Sequence, residues 1–102
     1  MKEIDWSSLS FGYMKTDYNV RCWYRDGAWG EIEVSSEETL NIHIAATCLH
    51  YGQEAFEGLK AYRCPDGKVR VFRMDENAAR LQSTCRGIMM PELPTELFEE
   101  MV

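Results

Sequence analysis

The sequence predicts a domain of the α+β class with a mostly antiparallel sheet, and three observations support this class. Two β-prone runs flank the RDG turn at residues 25–27, and two more flank the PDG turn at residues 65–67. After residue 74, apolar residues recur at three- or four-residue spacing, which is typical of amphipathic helices. Strand pairs joined by tight turns and followed by helices are typical of α+β domains.

The N-terminal third is predicted to contain an irregular arm and then a strand pair. Residues 1–12 are polar and aromatic by turns and show no regular period. Residues 14–24 follow a period of two that is rich in aromatic side chains, as in a β-strand. After the RDG turn, residues 29–34 are predicted to form the second strand. Residues 37–44 are compatible with either a short strand or a loop.

The middle of the chain is predicted to contain a short helix and a hairpin. Four residues at helical spacing predict the helix, and Gly58 would end it. They are Ala46, Leu49, Gln53 and Phe56. The runs on either side of residues 65–67 are then predicted to pair as a hairpin, because the glycine of the turn can adopt a positive φ.

Two helices are predicted in the C-terminal part. Asp75 is the expected N-cap of the first, and Pro91 and Pro94 are expected to stop it. Its apolar stripe consists of Ala78, Leu81, Cys85 and Ile88. Thr95 is expected to begin a further helix, and the sequence ends in its second turn without a cap. This ending leads us to expect that the chain belongs to a longer protein.

Composition and charge argue against several classes of function. The net charge is −6, from 17 acidic and 11 basic residues without a basic tract, which argues against a nucleic-acid partner. We expect no membrane span and no signal peptide, because the chain has no apolar run of roughly 20 residues and its N-terminus has no apolar core. A cytoplasmic protein is therefore expected. The four cysteines form no C-x-x-C motif, so neither zinc nor thiol redox chemistry is expected.

Arginine side chains are the candidate anion ligands. Arg80 lies in the first turns of the helix predicted after Asp75, and Arg73 lies at the end of the preceding strand. A guanidinium group binds phosphate or carboxylate through paired hydrogen bonds. A solvated surface arginine is the more common role for such a residue, and on spacing alone the two arginines are equal candidates.

The stretch CLHYGQEAFEGLKAYR, residues 48–63, interleaves aromatic, glycine and polar residues. Tyr51 and Phe56 stand beside Gly52 and Gly58, and glycines permit the backbone to approach a neighbour or a ligand closely. A packed phenylalanine and a partly buried phenol are nevertheless the more common roles for such aromatic residues.

Other polar residues of this region are weaker candidates. Glu54 and Glu57 are three apart and could share a helix face, where burial would let a carboxylate pair act as acid and base. Solvated glutamates are far more common. His43 and His50 lack a partner in a nucleophile motif, and Lys60 is not clearly inside the desolvated pocket that a Schiff base requires.

The motif LHYGQEAFEGLKAYR, followed by DGKVRVFR and ENAARL, resembles the N-terminal half of branched-chain amino acid aminotransferases, particularly bacterial ones. These are pyridoxal-phosphate enzymes of fold type IV, and the resemblance extends over residues 9–102. It implies a two-layer α/β sandwich with the helices packed on one face of the sheet. It also implies that residues 13–102 form the small N-terminal domain, and that the domain with the cofactor lysine lies outside this chain.

The resemblance implies an active site between two domains, to which three residues of this chain contribute. Arg80 of ENAARL is implied to bind the 5′-phosphate of pyridoxal 5′-phosphate. Tyr51 and Phe56 are implied to form walls of the pocket for the substrate side chain. The implied substrates are leucine, isoleucine and valine, with 2-oxoglutarate and glutamate as the second pair. The full-length enzyme is implied to be a homodimer.

The lysines of this chain do not match the family's cofactor lysine. Because none of Lys2, Lys15, Lys60 and Lys68 occurs in a matching motif, the resemblance implies that these 102 residues alone are inactive. Lys15 also precedes TDY where many relatives carry an aromatic residue, so a pocket wall is expected to differ there. The alternatives are a D-amino acid aminotransferase or an aminodeoxychorismate lyase of the same fold, or a non-catalytic ligand-binding domain.

Overall fold

The computed structural model describes residues 12–102, which divide into two compact units between Asn41 and Ile42. The predicted arm at residues 1–12 lies, apart from Gly12, outside the described residues. Strands in both units are antiparallel and the second unit also contains helices, so the predicted α+β class is confirmed. The strands form two separate two-stranded sheets, one in each unit.

The first unit is built on a hairpin of β1 (Asn19–Arg25) and β2 (Ala28–Ser35). The two-residue turn uses Asp26 with φ 53° and Gly27 with φ 80°, and an Asp-Gly pair is among those that adopt this conformation readily. The register pairs Val20 with Val34, and it shifts between Cys22 and Tyr24. The predicted strand pair is therefore confirmed. Residues 37–43 form neither strand nor helix, so the loop alternative holds there.

The second unit contains a further hairpin of β3 (Ala61–Arg63) and β4 (Val69–Val71), which confirms that prediction. The turn is closed by hydrogen bonds from the Cys64 amide to the Lys68 carbonyl, at 2.7 Å, and from the Gly67 amide back to the Cys64 carbonyl. Gly67 has φ 84°. The Asp66 carboxylate accepts a hydrogen bond from the Lys68 amide at 3.0 Å, so the side chain reinforces the turn.

Helices α2 (Met74–Gly87) and α3 (Thr95–Met101) pack on each other and form the core of the second unit. Ala78, Cys85 and Phe98 are its buried apolar residues, and two of them belong to the predicted stripe. The Gln82 amide donates to the Leu93 carbonyl at 2.9 Å and thereby joins α2 to the connection before α3. The start of α3 at Thr95 confirms the prediction.

Both predicted ends of α2 are wrong. The carbonyl of Arg73 accepts the first helical hydrogen bonds, from the Glu76 and Asn77 amides, so Arg73 is the N-cap. Asp75 lies instead in the first turn, where its charge still favours the helix dipole. The C-terminus is closed before the prolines, because Met89 takes φ 61° and the Met90 amide bonds to the Cys85 carbonyl.

The helix predicted from Ala46 to Phe56 is wrong in its length. Helix α1 comprises only Thr47–His50. Gly52 has φ 62°, a left-handed conformation that cannot continue a right-handed helix, so the helix ends before it rather than at Gly58. Across residues 12–102, no helix combines the length and the apolar composition that crossing a membrane requires.

Candidate functional site

Residues 53–60, called here the tethered segment, replace the C-terminal part of the predicted helix. These residues alternate strictly between half-buried and exposed, which is the period of two of an extended chain. Gln53, Ala55, Glu57 and Leu59 are the inward positions. The outward positions are Glu54, Phe56, Gly58 and Lys60. Phe56 and Glu57 therefore lie on opposite sides of the segment, and so do Glu54 and Glu57.

Two inward polar residues hold the tethered segment in place through hydrogen bonds. The Gln53 amide nitrogen donates to the Ile88 carbonyl at 2.8 Å, and its oxygen accepts from the Thr47 hydroxyl at 2.6 Å. Further along, Asn77 of α2 donates to the Glu57 carboxylate at 2.8 Å and to the Gly58 carbonyl at 3.3 Å. The segment is thus fixed at both ends to α2 and the residues that follow it.

The strongest polar contact of the segment is the ion pair of Glu57 with Arg80. Arg80 Nε donates to the two carboxylate oxygens at 2.9 and 3.0 Å, and Nη2 donates to Oε1 as well. The Glu57 side chain is only 6% exposed, whereas that of Arg80 is 68% exposed. Hydrogen bonds first from Arg80 and then from Asn77 lower the pKa of Glu57 below its usual value, so the carboxylate stays ionised.

Arg80 also lines an open cleft of about 550 Å³ on α2. The other lining residues are Phe72, Arg73, Glu76, Asn77 and Ala79. The two arginines make the cleft a candidate anion site, and each is already paired with a glutamate. Arg73 pairs with Glu76 three residues later on the same helix, and both of these side chains are exposed. Arg80, by contrast, is held by a residue from a different part of the chain.

The structure places the predicted site residues as follows. Arg80 lies in the cleft. Tyr51 is 84% exposed and Phe56 is 86% exposed, and neither belongs to the lining of the cleft. The two aromatic residues therefore do not meet Arg80 in the described part of the chain, and their roles as pocket walls stay predictions.

The weaker candidates have structural roles. The glutamate pair on one helix face is wrong, because no helix forms there and Glu57 is engaged by Arg80. His50 Nε2 lies 2.6 Å from the Ile44 carbonyl, and His43 Nδ1 accepts the Ala45 amide at 2.9 Å. Both histidines thus stabilise the local backbone before and within α1.

Glu57 and Asn77 are the residues that sequence reasoning missed as partners of Arg80. Glu57 lies 23 residues before Arg80, so no local spacing connects them. The one available signal was the pair Asn77 and Arg80, which are three apart and share a face of α2. That spacing indicates neighbours on the helix, but it does not indicate what the two side chains bind together.

The chemistry of the cleft suits a phosphate group such as that of pyridoxal 5′-phosphate. Within residues 12–102 the Nη1 end of Arg80 makes no hydrogen bond, so its donors suit a phosphate group. None of the residues lining the cleft is a lysine, and the described lysines, Lys15, Lys60 and Lys68, are exposed. The described residues also contain no cluster of side chains that could hold a metal ion. The arrangement can bind and orient an anion, but it contains no desolvated lysine.

Over almost its whole length, the chain is similar to curated aminotransferases. It is 51% identical to the branched-chain-amino-acid aminotransferase of Haemophilus influenzae over 98 residues, which are 96% of this chain and 29% of that protein. It is 47% identical over 101 residues to the protein of the same name from Mycolicibacterium smegmatis, covering 98% of this chain and 27% of the relative.

A plant protein is also similar. Branched-chain-amino-acid aminotransferase 5, chloroplastic, of Arabidopsis thaliana is 40% identical over 104 residues, which cover 100% of this chain and 25% of that protein. The chain thus spans little more than a quarter of the length of these relatives. No family model matches the chain.

Proposed function

Since the chain belongs to the branched-chain-amino-acid aminotransferase family, we propose that it forms the N-terminal part of such an enzyme. The complete enzyme would transfer the amino group of leucine, isoleucine or valine to 2-oxoglutarate, giving a 2-oxo acid and glutamate. The observation that carries this proposal is the exposed Arg80 guanidinium in the cleft on α2, in a chain that is 51% identical to one protein of this name.

In the proposed enzyme, pyridoxal 5′-phosphate is the cofactor, and when bound it supplies the electron sink for chemistry at the substrate Cα. Arg80 would bind the phosphate and thereby limit the tilt of the ring. Its guanidinium suits this role because it is exposed, permanently charged and held at its base by Glu57. No other residue of the cleft combines a full charge with an anchor from a separate segment.

Phe56 and Tyr51 are proposed to contact the substrate side chain. Both are large, aromatic and exposed, so they present apolar surface that a ligand or another part of the protein would cover. Apolar contact discriminates only weakly between side chains that differ by one methylene, by about 1–3 kcal/mol. Broad acceptance of the three branched side chains follows from such a pocket.

The proton-transferring lysine is proposed to lie outside these 102 residues. A lysine that forms a Schiff base needs a desolvated pocket, whereas the lysines among the described residues, Lys15, Lys60 and Lys68, are exposed, and Lys2 matches no motif of the family's cofactor lysine. The chain by itself is therefore proposed to be inactive. A cytoplasmic location and a homodimer are part of the same proposal, on the strength of the resemblance.

A transaminase assay tests the proposal. The complete protein encoded by the gene is incubated with leucine and 2-oxoglutarate, glutamate is followed, and the 102-residue chain is assayed in parallel. Glutamate from the complete protein only is the expected result. Turnover of D-alanine or aminodeoxychorismate in place of leucine would replace the branched-chain assignment by one of the related activities. Turnover by the 102 residues alone would overturn the proposed position of the lysine.

A further inference from the structure

Glu57 makes an unusual contact for a glutamate in a segment without regular secondary structure. Its side chain is nearly covered, at 6% exposure, and the carboxylate accepts hydrogen bonds from Nε and Nη2 of Arg80 and from the amide of Asn77. A covered carboxylate is tolerated only when its oxygens are paired in this way. The same contacts fix the guanidinium of Arg80 from its Nε side.

We infer that Glu57 and Asn77 are positioning residues that hold Arg80 in the orientation in which its Nη1 end binds an anion in the cleft. This inference rests on the proposed function, in which the anion is the phosphate of pyridoxal phosphate. Neither residue touches the anion. Glu57 acts through Arg80, and Asn77 acts by steadying both the Glu57 carboxylate and the Gly58 carbonyl.

The physical reason is preorganisation. A free arginine side chain loses much rotamer freedom when it binds a ligand, and that loss weakens binding. Arg80 extends from α2, and Glu57 reaches it from the tethered segment, so two separate elements restrict the guanidinium before a ligand arrives. Arg73 in the same cleft lacks this support, because its partner Glu76 is an exposed neighbour on its own helix.

The negative charge of Glu57 acts in the opposite direction. It offsets the charge of Arg80 and repels a phosphate, so its removal could strengthen the binding of an anion. We expect orientation to dominate, because the guanidinium is largely in water, whose high dielectric constant weakens the repulsion between Glu57 and a bound anion. The hydrogen bonds from Nε and Nη2 to the carboxylate are direct contacts and are not weakened in that way. Weaker binding of the anion in Glu57→Gln would therefore show that the orientation of Arg80 dominates, and tighter binding would show that the charge repulsion dominates.

The experiment compares two ligands that differ only in the phosphate. Affinities of the complete apoprotein for pyridoxal phosphate and for pyridoxal are measured for wild type, Glu57→Gln and Asn77→Ala. Glu57→Gln keeps the shape of the side chain but turns an amide donor towards the donors of Arg80 or Asn77. We expect it to weaken the binding of pyridoxal phosphate about tenfold, which corresponds to about 1.4 kcal/mol, and to leave the affinity for pyridoxal unchanged. Asn77→Ala should give a smaller loss of the same kind.

Glu92→Gln is the matched control, since Glu92 also pairs with an arginine, Arg86, but outside the cleft. It should leave both affinities unchanged. A purely structural role of Glu57 would lower the affinities for both ligands together, and this result would overturn the inference. If Glu57→Gln does not fold, Asn77→Ala decides, and an unchanged preference for the phosphorylated ligand in that variant would overturn the inference as well.

Titration with inorganic phosphate separates this inference from the proposed function. If wild type binds pyridoxal phosphate and Glu57→Gln binds it equally or more tightly, the positioning role is overturned and the proposed function stands. If wild type binds inorganic phosphate but neither pyridoxal compound, the proposed function fails. The positioning role is then supported by weaker phosphate binding in Glu57→Gln and overturned by equal binding. If wild type binds none of the three ligands, both proposals are overturned.

Discussion

Two ion pairs of the second unit form in different ways. In the β3–β4 hairpin, Asp66 of the turn pairs with Arg70 of β4, four residues later. The distance from Oδ2 to Nη2 is 2.7 Å, and both side chains are about half exposed. Between the tethered segment and α2, Glu57 and Arg80 are 23 residues apart, and the carboxylate is nearly covered. The first pair follows from local turn geometry, whereas the second forms only when distant parts of the chain have packed.

The difference shows where a binding group gains its support. A pair such as Asp66–Arg70 costs little to break, because water replaces each partner for the other. Breaking the Glu57–Arg80 pair leaves a covered carboxylate without its cation, so the contact constrains both partners more strongly. The candidate phosphate ligand is the arginine of the second pair. Mutations of the Glu57–Arg80 pair should therefore affect ligand binding as well as stability, whereas mutations of the Asp66–Arg70 pair should have only small effects on stability.

Replacing the arginine of each ion pair in turn should give the largest difference between the two regions. Arg80→Ala in the complete protein should weaken the binding of pyridoxal phosphate by about tenfold to a hundredfold, because it removes charged donors to the phosphate. Arg70→Ala should leave the affinity unchanged, since Asp66 stays hydrated. Equilibrium dialysis of the apoproteins measures both. Unchanged affinity in Arg80→Ala would move the role of phosphate ligand to Arg73.

Phe56 tests the two sides of the tethered segment against each other. Phe56→Ala should change the ratios of kcat/KM among leucine, isoleucine and valine by up to about tenfold. The melting temperature should hardly change, because the side chain is 86% exposed. Ile44→Ala is the control, since Ile44 is likewise exposed but carries no predicted role. Identical ratios in wild type and Phe56→Ala would remove this residue from the substrate pocket.

Glycine-to-alanine substitutions compare the backbone conformations of the tethered segment, the residue before it and the hairpin turn. Gly52→Ala and Gly67→Ala should each destabilise the protein by about 1 kcal/mol, because both positions have positive φ, near 62° and 84°. Gly58→Ala should be neutral or slightly stabilising, since its φ is not positive and an added Cβ meets nothing within 4 Å. Melting temperatures of the three variants test this. A loss at Gly58 equal to that at Gly52 would contradict it.

Acid pH should change the stability of the fold least, and high salt should affect the Asp66–Arg70 and Glu57–Arg80 ion pairs to different extents. Hydrogen bonds from Arg80 and Asn77 lower the pKa of Glu57 below 4.5, and those from Arg70 and the Lys68 amide lower the pKa of Asp66 below 3.8. Because each folded pKa lies below the unfolded one, each carboxylate contributes stability above its ordinary pKa. That contribution is lost as the pH falls through the folded pKa.

Unfolding curves of Glu57→Gln and Asp66→Asn against wild type measure these contributions. Each variant should be less stable than wild type at neutral pH, and the difference should shrink below pH 4.5 for Glu57 and below pH 3.8 for Asp66. High salt at neutral pH should reduce the difference for Asp66, which is half exposed, more than that for Glu57. Equal sensitivity to salt would mean that the two pairs are solvated alike.

The parts of the fold that were predicted correctly depend on local chemistry. Asp26–Gly27 and Asp66–Gly67 favour tight turns whatever surrounds them, so both hairpins could be read from the sequence. The apolar stripe of α2 was likewise correct at Ala78 and Cys85. The ends of α2 were not, because they depend on the backbone conformations of Arg73 and Met89, two residue types that rarely adopt a positive φ.

The tethered segment could not be predicted for a different reason. Its inward positions include the polar residues Gln53 and Glu57, so the hydrophobic pattern does not show its period of two. Ala46, Leu49 and Phe56 follow helical spacing, and this suggested a longer helix than the one that forms, because Gly52 ends it. Gln53 and Glu57 face inwards because partners from Thr47, α2 and the residues after it satisfy their polar groups.

The sequence by itself determined the α+β class, both turns, the helical stripe and the resemblance that favours Arg80 over Arg73. All of these depend on neighbouring residues or on the residues of a short motif. Only the tertiary structure decided that Glu57 and Asn77 hold Arg80, and that Phe56 faces away from Glu57. The physical reason is that a hydrogen bond between residues 23 apart depends on how the chain packs. A local pattern of side chains contains no information about that distance.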